Sequence, residues 1–223
     1  MDTVPEEGYF SVMKTIGLIG GMSWESTVSY YHLINTAVKE QLGGLHSAKC
    51  VLYSVDFAEI ELLQQQARWV EATQVLAAAG RSVEKAGADF VVLCTNTMHK
   101  VAEALQGSLH IPLLHIADAT AEAIRQAGIR RVGLLGTRFT MEEDFYRGRL
   151  VRQFGLEVLI PNPEDREQVH RIIYEELCVG QIRPESKVRL ARIMDHLAQR
   201  GAEGIIVSVG LGARVDERAG SYP

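Results

Sequence analysis

The sequence has few cysteines, no excess of basic residues and no long apolar run, and each shortage excludes a class of protein. Three cysteines in 223 residues argue against a disulfide scaffold. The formal net charge of −5 argues against a dedicated nucleic-acid binder, which normally carries a basic excess. No run reaches the ~18 apolar residues of a membrane-spanning helix. We therefore expect a protein that binds neither nucleic acid nor membrane.

Common signatures of export and of cofactor binding are also missing. Residues 1–12 hold acidic side chains and no basic one, unlike a secretory signal, so we predict a cytoplasmic location. Neither glycine motif of the nucleotide-binding loops is present. The seven histidines are scattered, without the spacing of metal ligands. We predict that the protein uses no cofactor and no metal ion.

Short apolar runs alternate with segments of helical periodicity along the chain. Such runs, without strict polar alternation, are typical of parallel strands that are buried on both faces. They predict strands at 14–20, 50–55, 89–94, 112–116, 131–136, 156–160 and 204–207. The helical patterns predict helices at 25–41, 68–86, 97–106, 118–127, 140–153, 165–178 and 185–200. This alternation predicts an α/β fold with right-handed crossovers.

An internal repeat indicates that the α/β unit is duplicated. The string Gly-Leu-Ile-Gly at 17–20 resembles Gly-Leu-Leu-Gly at 133–136, and the run 87–93 resembles 201–207. We predict two pseudo-symmetric domains with doubly wound parallel sheets, a first domain at 13–115 that carries Cys94 and a second domain at 116–223. Ligands of such sheets bind beyond the carboxyl ends of the strands. We therefore expect the active site in the cleft between the domains.

The sharpest local feature is the string Cys94-Thr95-Asn96-Thr97, which follows a predicted strand and precedes a predicted helix. The N–H groups and the dipole of a helix N-terminus favour a thiolate and lower its pKa. Thr and Asn can cap the helix or hold a carboxylate there. A buried cysteine followed by ordinary capping residues is an equally good interpretation. Cys50 and Cys178 are interpreted as core side chains, and His99 as a half-exposed helix residue.

Three segments resemble the aspartate/glutamate racemase family, and most closely its bacterial broad-specificity amino-acid racemase branch. They are 14–23, 93–99 and 134–137, and the specific one is Leu93-Cys-Thr-Asn-Thr-Met-His99. The resemblance implies two pseudo-symmetric α/β domains with the active site between them, an amino-acid substrate, no cofactor and a homodimer. In that family two cysteines, one from each domain, transfer protons on opposite faces of the substrate α-carbon.

The resemblance also implies roles for individual residues. Cys94 is then a catalytic acid or base, because removal of a weakly acidic α-proton requires a base in contact with it. Thr137, at the end of the matching strand of the second domain, is then an assisting residue. The substrate site is then lined by Met22, Gln64, Thr95, Asn96 and Thr97.

The chain departs from the family pattern at several positions. The second cysteine is missing: the family string puts Val209 at its place, whereas the internal repeat puts Ser208 opposite Cys94. A Gln-Arg-Arg string associated with acidic substrates is here Gln64-Gln65-Gln66, and Cys178 stands where some relatives carry lysine. The chain ends at position 223, so we expect a shortened second domain. Residues 1–12 precede the family-like region and are interpreted as an added leader.

These features support three hypotheses about function. The first is a cofactor-independent amino-acid racemase of broad or non-acidic specificity, impaired by the missing cysteine but able to exchange the α-proton of one enantiomer. The second is a non-catalytic amino-acid-binding pseudoenzyme that keeps the turn at 95–97. The third is a single-cysteine decarboxylase of malonate-type acids, because decarboxylation needs only one proton donor.

Overall fold

The computed structural model describes residues 13–208 and, for the backbone alone, residues 214–216. Within that part of the chain, eight strands form two four-stranded sheets. The first sheet has the order β2-β1-β3-β4 and contains β1 (Ile16–Gly20), β2 (Cys50–Ser54), β3 (Phe90–Leu93) and β4 (Leu113–Leu114). The second has the order β6-β5-β7-β8 and contains β5 (Arg131–Gly136), β6 (Glu157–Leu159), β7 (Gly204–Ser208) and β8 (Arg214–Asp216). The repeated strand order confirms the predicted duplicated α/β fold.

Helices connect the strands and cover the sheets. They are α1 (Trp24–Leu42), α2 (Phe57–Gln65), α3 (Trp69–Lys85), α4 (Ala102–Gln106), α5 (Ile116–Gln126), α6 (Arg138–Glu142), α7 (Arg149–Phe154), α8 (Pro163–Glu175) and α9 (Pro184–Gln199). Short 3-10 turns precede α4 (Thr97–Val101) and follow α8 (Leu177–Val179), and a π-turn (Asp144–Gly148) separates α6 from α7. None of the helices in the described part of the chain combines the length and apolar character needed to cross a bilayer.

Several predicted elements differ from those observed. Helix α2 was not predicted, and the predicted helices at 97–106 and 140–153 are each divided, by the 3-10 turn and the π-turn described above. Strand β8 was not predicted, and it runs antiparallel to β7 beside the parallel strands of the second sheet. Only residues 209–213 separate these strands, and a parallel pair needs a crossover of a dozen or more residues. Val209, residues 1–12 and residues 217–223 lie outside the described residues.

Matched glycines bring a helix onto the central strand of each sheet. A Cβ atom on Gly17 in β1 would lie 2.8 Å from Val83 of α3, and one on Gly133 in β5 would lie 2.9 Å from Leu197 of α9. Real Cβ atoms essentially never come this close to a neighbour. The same close approach of helix to sheet therefore occurs at corresponding positions of the two repeats.

Each sheet has its own apolar core. The first core draws on side chains between Ile19 and Leu113. The second draws on side chains between Ile116 and Val207, and α5 contributes its buried residues to it. The carboxyl ends of β1, β3, β5 and β7 carry the residues from which the candidate site is built.

Candidate active site

A small cavity of about 40 Å³ lies where the two repeats meet. Residues that follow the first repeat's strands, or begin α1 and α2, form one side of it: Met22, Ser23, Ser26, Phe57, Thr95, Asn96 and Thr97. The second repeat forms the other side with Thr137, Ile173, Tyr174, Cys178 and Ser208. Four of the five residues predicted to line the substrate site therefore lie together at this cavity.

Cys94 lies at the carboxyl end of β3, immediately before the three cavity residues Thr95, Asn96 and Thr97. It is fully buried, its N–H donates to the carbonyl of Ile19 over 2.9 Å, and its carbonyl accepts a hydrogen bond from the Ser26 hydroxyl. Its sequence neighbour Thr95 lines the cavity, whereas Cys94 itself is not part of the lining. The backbone of Cys94 is thus held at both its N–H and its carbonyl.

The expectation that a helix N-terminus lowers the pKa of Cys94 is wrong for this structure. The element after the cysteine is a five-residue 3-10 turn, and its N-cap residue, Asn96, makes no side-chain capping bond. Burial instead raises the pKa of Cys94 to about 12, because desolvation disfavours the charged thiolate. The thiol is therefore the dominant form at neutral pH.

Two polar atoms at the cavity have no hydrogen-bond partner within the described part of the chain. They are Asn96 Oδ1 and Ser208 Oγ, and both residues are more than nine-tenths buried. Buried polar groups are normally paired, and leaving one unpaired costs about 1–3 kcal/mol. Unpartnered atoms from both repeats at one cavity indicate a place for a polar ligand.

The turn after Cys94 is fixed from both repeats. The hydroxyls of Thr97 and Thr137 are 2.9 Å apart and form a hydrogen bond across the two repeats. His99, expected to be half exposed, is buried. Its Nδ1 is 2.8 Å from the carbonyl of Thr95, and its Nε2 accepts from the N–H of Ile116. The neutral imidazole with its proton on Nδ1 satisfies both bonds.

Gln64 takes a different position from the one expected. It is buried but lines a larger adjoining groove, not the small cavity. Its Oε1 accepts a hydrogen bond from the Tyr174 hydroxyl over 2.7 Å, and its Nε2 contacts Met98 Sδ. Gln64 therefore holds Tyr174, which does line the cavity.

The larger groove has a volume of about 890 Å³ and lies beside the cavity. Phe57, Tyr174 and Cys178 line both spaces, and the rings of Phe57 and Tyr174 stack with centroids 6.3 Å apart. A site for a small organic ligand usually has ~300–1,000 Å³. The groove has that size, and the smaller cavity adjoins it through these three shared residues.

The sheet register makes Ser208 the counterpart of Cys94. In the first sheet Ile19 pairs with Leu93, the residue before Cys94. In the second sheet Leu135 pairs with Val207, the residue before Ser208. The two side chains therefore follow equivalent positions of equivalent strands, as the internal repeat predicted.

Cys178, interpreted from the sequence as a core side chain, is a residue that the sequence reasoning missed. It is half-buried and lines both the cavity and the groove. The lysine of some relatives at its position was the signal that could have found it. Among the described residues, no group of three or more His, Cys, Asp or Glu side chains lies close enough to hold a metal ion.

Two α/β repeats line one small polar cavity, and a cysteine stands at the end of a strand beside it. This arrangement is the one that the resemblance to the racemase family implies. Solved structures agree with this assignment. A candidate Asp/Glu racemase from Yersinia pestis has a TM-score of 0.81 and 57% identity, over 88% of this chain and 85% of that chain. An aspartate racemase homologue from Pyrococcus horikoshii OT3 has a TM-score of 0.75 and 35% identity, over 91% of this chain and 89% of that chain.

Sequence comparison gives the family. The model of the Asp/Glu/Hydantoin racemase family matches residues 19–209, and the chain belongs to this family. The broad specificity amino-acid racemase RacX of Bacillus subtilis is 35% identical over 77 residues, which are 34% of this chain and 33% of RacX. An uncharacterised protein of Pectobacterium carotovorum is 33% identical over 95 residues, 43% of this chain and 61% of that protein. The chain thus matches less than two thirds of each curated relative.

Proposed function

We propose that this protein is a cofactor-independent amino-acid racemase that transfers the α-proton of its substrate through thiol and thiolate groups, with Cys94 as one of them. The observation that carries the proposal is the cavity that both repeats form at their strand ends, which is lined by Thr95, the residue after Cys94. Family membership and the racemase neighbours support the reaction class.

The cavity offers neutral groups to a substrate carboxylate. Asn96 and the hydroxyls of Thr95 and Thr97 come from the turn after Cys94, and none of the described lining residues carries a positive charge. Neutral donors in a site with little water stabilise the negative charge that builds up when the α-proton leaves. Met22 supplies an apolar contact in the same lining, and Gln64 acts by holding Tyr174.

The substrate class that we propose is broad or non-acidic. Gln64-Gln65-Gln66 carries no charge at the string associated with acidic substrates. The groove lining holds three cations, Lys100, Arg138 and Arg171, against four glutamates. Lys100 is paired with Glu143 and Arg171 with Glu175, so these two are not free to bind a substrate side chain. Glu167 also lines the groove and disfavours a second carboxylate there.

The test is exchange of the substrate α-proton with solvent. The L- and D-forms of alanine, leucine, lysine and glutamate are incubated separately with the protein in D₂O, and the α-proton signal is followed by NMR. We expect exchange with at least one of them and a roughly 10³-fold loss in Cys94→Ser, because general acid–base groups contribute roughly 10²- to 10⁴-fold. Cys50→Ser is the matched control and keeps the exchange, since Cys50 begins β2 away from the cavity lining.

A second candidate function has its own supporting observation. The complete burial of Cys94 and its high pKa favour a binding protein that recognises amino acids without turning them over. Calorimetric binding of an amino acid together with no α-proton exchange would select this pseudoenzyme. Release of carbon dioxide from an arylmalonate would instead select the single-cysteine decarboxylase.

Further predictions about the whole protein accompany the proposal. We propose that the domains divide at 115/116, which the separate apolar cores on either side of this point support. A homodimer and a cytoplasmic location stay predictions. Gel filtration with light scattering tests the first of these two, and cell fractionation tests the second.

A further inference from the structure

The second repeat must supply a proton-transfer group if the substrate is to be inverted, because the two faces of the α-carbon need separate groups. Four of its five residues at the cavity carry an exchangeable proton. The Thr137 hydroxyl is bonded to Thr97 and to the N–H of Thr140. The Tyr174 hydroxyl donates to Gln64. The remaining candidates are Cys178 and Ser208.

The chemistry of these two groups separates them. Burial, and next the charge of Glu25, raise the pKa of Cys178 to about 11, while a hydrogen bond with Ser23 lowers it. A serine hydroxyl is a much weaker acid and, unlike a thiol, needs an adjacent base to act. Ser208 Oγ has no partner among the described residues, so no such base is in contact with it. Cys178 is the better proton donor on this side.

The surroundings of Cys178 support a role in proton transfer. Ser23, its hydrogen-bond partner, is the N-cap of the 19-residue helix α1, and the positive end of a helix dipole stabilises a nearby thiolate. The side chain also lines the groove, through which a proton can re-equilibrate with solvent. Cys94 has no such helix N-cap partner and does not line the groove, so the two thiols differ in their access to solvent.

We propose that Cys178 is the second proton-transfer group of this racemase and takes the place of the family's missing cysteine. The inference rests on the proposed function. An independent observation is the pair of unpartnered buried atoms, Asn96 Oδ1 and Ser208 Oγ, at the same cavity. They mark a polar ligand position bordered by Cys178 on one side and by the turn after Cys94 on the other.

The proton balance of the step is simple. The Cys94 thiolate takes the α-proton and becomes a thiol, and the electron pair of the broken C–H bond stays on the substrate as a carbanion delocalised into the carboxylate. The Cys178 thiol gives its proton to the opposite face and becomes a thiolate. The reverse reaction starts from this state, and no oxidant, reductant or metal ion is consumed.

The test measures exchange and inversion in the same samples. The amino acids used above are incubated in D₂O with the wild-type protein, Cys178→Ala, Cys178→Ser, Ser208→Ala and Cys50→Ser. NMR gives α-proton loss, and chiral chromatography gives inversion. For Cys178→Ala we expect inversion lowered roughly 100-fold or more, and exchange of one enantiomer lowered less than inversion, because one base remains. Cys50→Ser is expected to keep inversion, and Ser208→Ala, which removes a cavity hydroxyl but no thiol, is expected to lower inversion less than Cys178→Ala does.

The outcomes distinguish the inference from the proposed function. Undiminished inversion in Cys178→Ala, or its loss in Ser208→Ala alone, overturns the inference and leaves the proposed function standing. If the wild-type protein shows Cys94-dependent exchange but no inversion, the inference is likewise overturned, and Cys94 keeps its proposed role. Absence of exchange with every amino acid overturns both.

A second measurement uses only the wild-type protein, so it does not require that any variant folds. Iodoacetamide labelling of the wild-type protein, followed by mass spectrometry, gives the alkylation rate of each cysteine. A bound amino acid is expected to slow labelling of Cys178 at least threefold and to leave Cys50 unchanged. Equal labelling of Cys178 with and without amino acid overturns the inference.

Discussion

The ends of β3 and β7 have the same backbone setting and different side chains. Both strands are central in their sheets and pair with the first strand of their repeat. After β3 the chain presents Cys94 and the Thr-Asn-Thr turn, whereas β7 ends on Ser208. Both side chains are buried. The backbones of the two repeats are therefore equivalent at this position, whereas their side chains differ in chemistry.

This difference shows which part of the site depends on the strand ends. The polar turn that can hold a carboxylate belongs to β3 alone among the described residues. On the other side, the protonatable groups at the cavity come mainly from α8 and the turn after it, through Tyr174 and Cys178. Under the proposal for Cys178, the proton-transfer group of the second repeat comes from the turn after α8 and not from the end of β7.

The largest expected effect comes from making the two strand ends chemically alike. In a Cys178→Ala background, Ser208→Cys places a thiol at the counterpart of Cys94. We expect inversion to rise roughly 100-fold, the lower range of general acid–base contributions. Chiral chromatography measures it, and Ser208→Thr is the control that adds bulk without a thiol. No rise would mean that the end of β7 does not face the substrate.

The link between the β3 end and the second repeat is expected to be sensitive to acid. Burial lowers the pKa of His99 to about 3 and that of His115, whose ring lies 4.6 Å away, to about 4. The folded state therefore binds fewer protons than the unfolded state between about pH 3 and 6.5, and stability falls as pH falls through this window. His99 alone is expected to cost about 2 kcal/mol between pH 7 and 5.

Urea denaturation at pH 7, 6 and 5 measures this loss. His99→Asn is expected to be less stable at pH 7 and to lose about 2 kcal/mol less on acidification. His32→Asn, at an exposed position of α1, is the control and keeps the wild-type dependence. If His99→Asn kept the wild-type pH dependence, His99 would not be the group that destabilises the folded protein in acid.

The equivalence of the repeats away from the site can be tested at the matched glycines. Gly17→Ala and Gly133→Ala each drive a methyl group into the helix that covers the sheet, so each is expected to cost ~1–3 kcal/mol. Thermal and urea denaturation measure the two losses. Gly107→Ala is the control, because its added Cβ meets the nearest atom at 3.5 Å. A large difference between the two losses would break the structural equivalence.

The smallest effects are expected at the hydroxyl pair that joins the repeats. Thr97→Val removes the bond to Thr137 and a hydrogen bond with Tyr174 and is expected to cost about 1–2 kcal/mol. Thr137→Val also removes the N-cap of α6 and is expected to cost ~1–2 kcal/mol. The double variant should lose less than the sum of the two, because the shared bond is counted twice. Additive losses in urea denaturation would show that the hydroxyls do not interact.

The sequence predicted the elements that depend on local pattern. Apolar runs without polar alternation predicted the central strands, and the similarity of the two glycine strings predicted the duplication. Cys94 followed from its place at a strand end, and the register of Ser208 followed from the repeat. Helix α2 was missed because it is short and joined closely to α3.

Features that depend on tertiary contacts could not be predicted in this way. The pKa of Cys94 is set by how many atoms exclude water from it, which no local string records. Cys178 follows an apolar helix pattern that is typical of a core, and its place at the cavity depends on how α8 lies against the first repeat. The tie from Gln64 to Tyr174 joins residues 110 positions apart.

The small volume of the cavity has a consequence for the timing of turnover. About 40 Å³ accommodates a few water molecules at most, so an amino acid that moves from the groove into the cavity must displace some of the lining side chains. Phe57 and Tyr174 come from different repeats, so a movement of one repeat relative to the other would separate their stacked rings. If this movement limits catalytic turnover, the turnover rate falls in viscous solvent and changes little when the α-carbon carries deuterium.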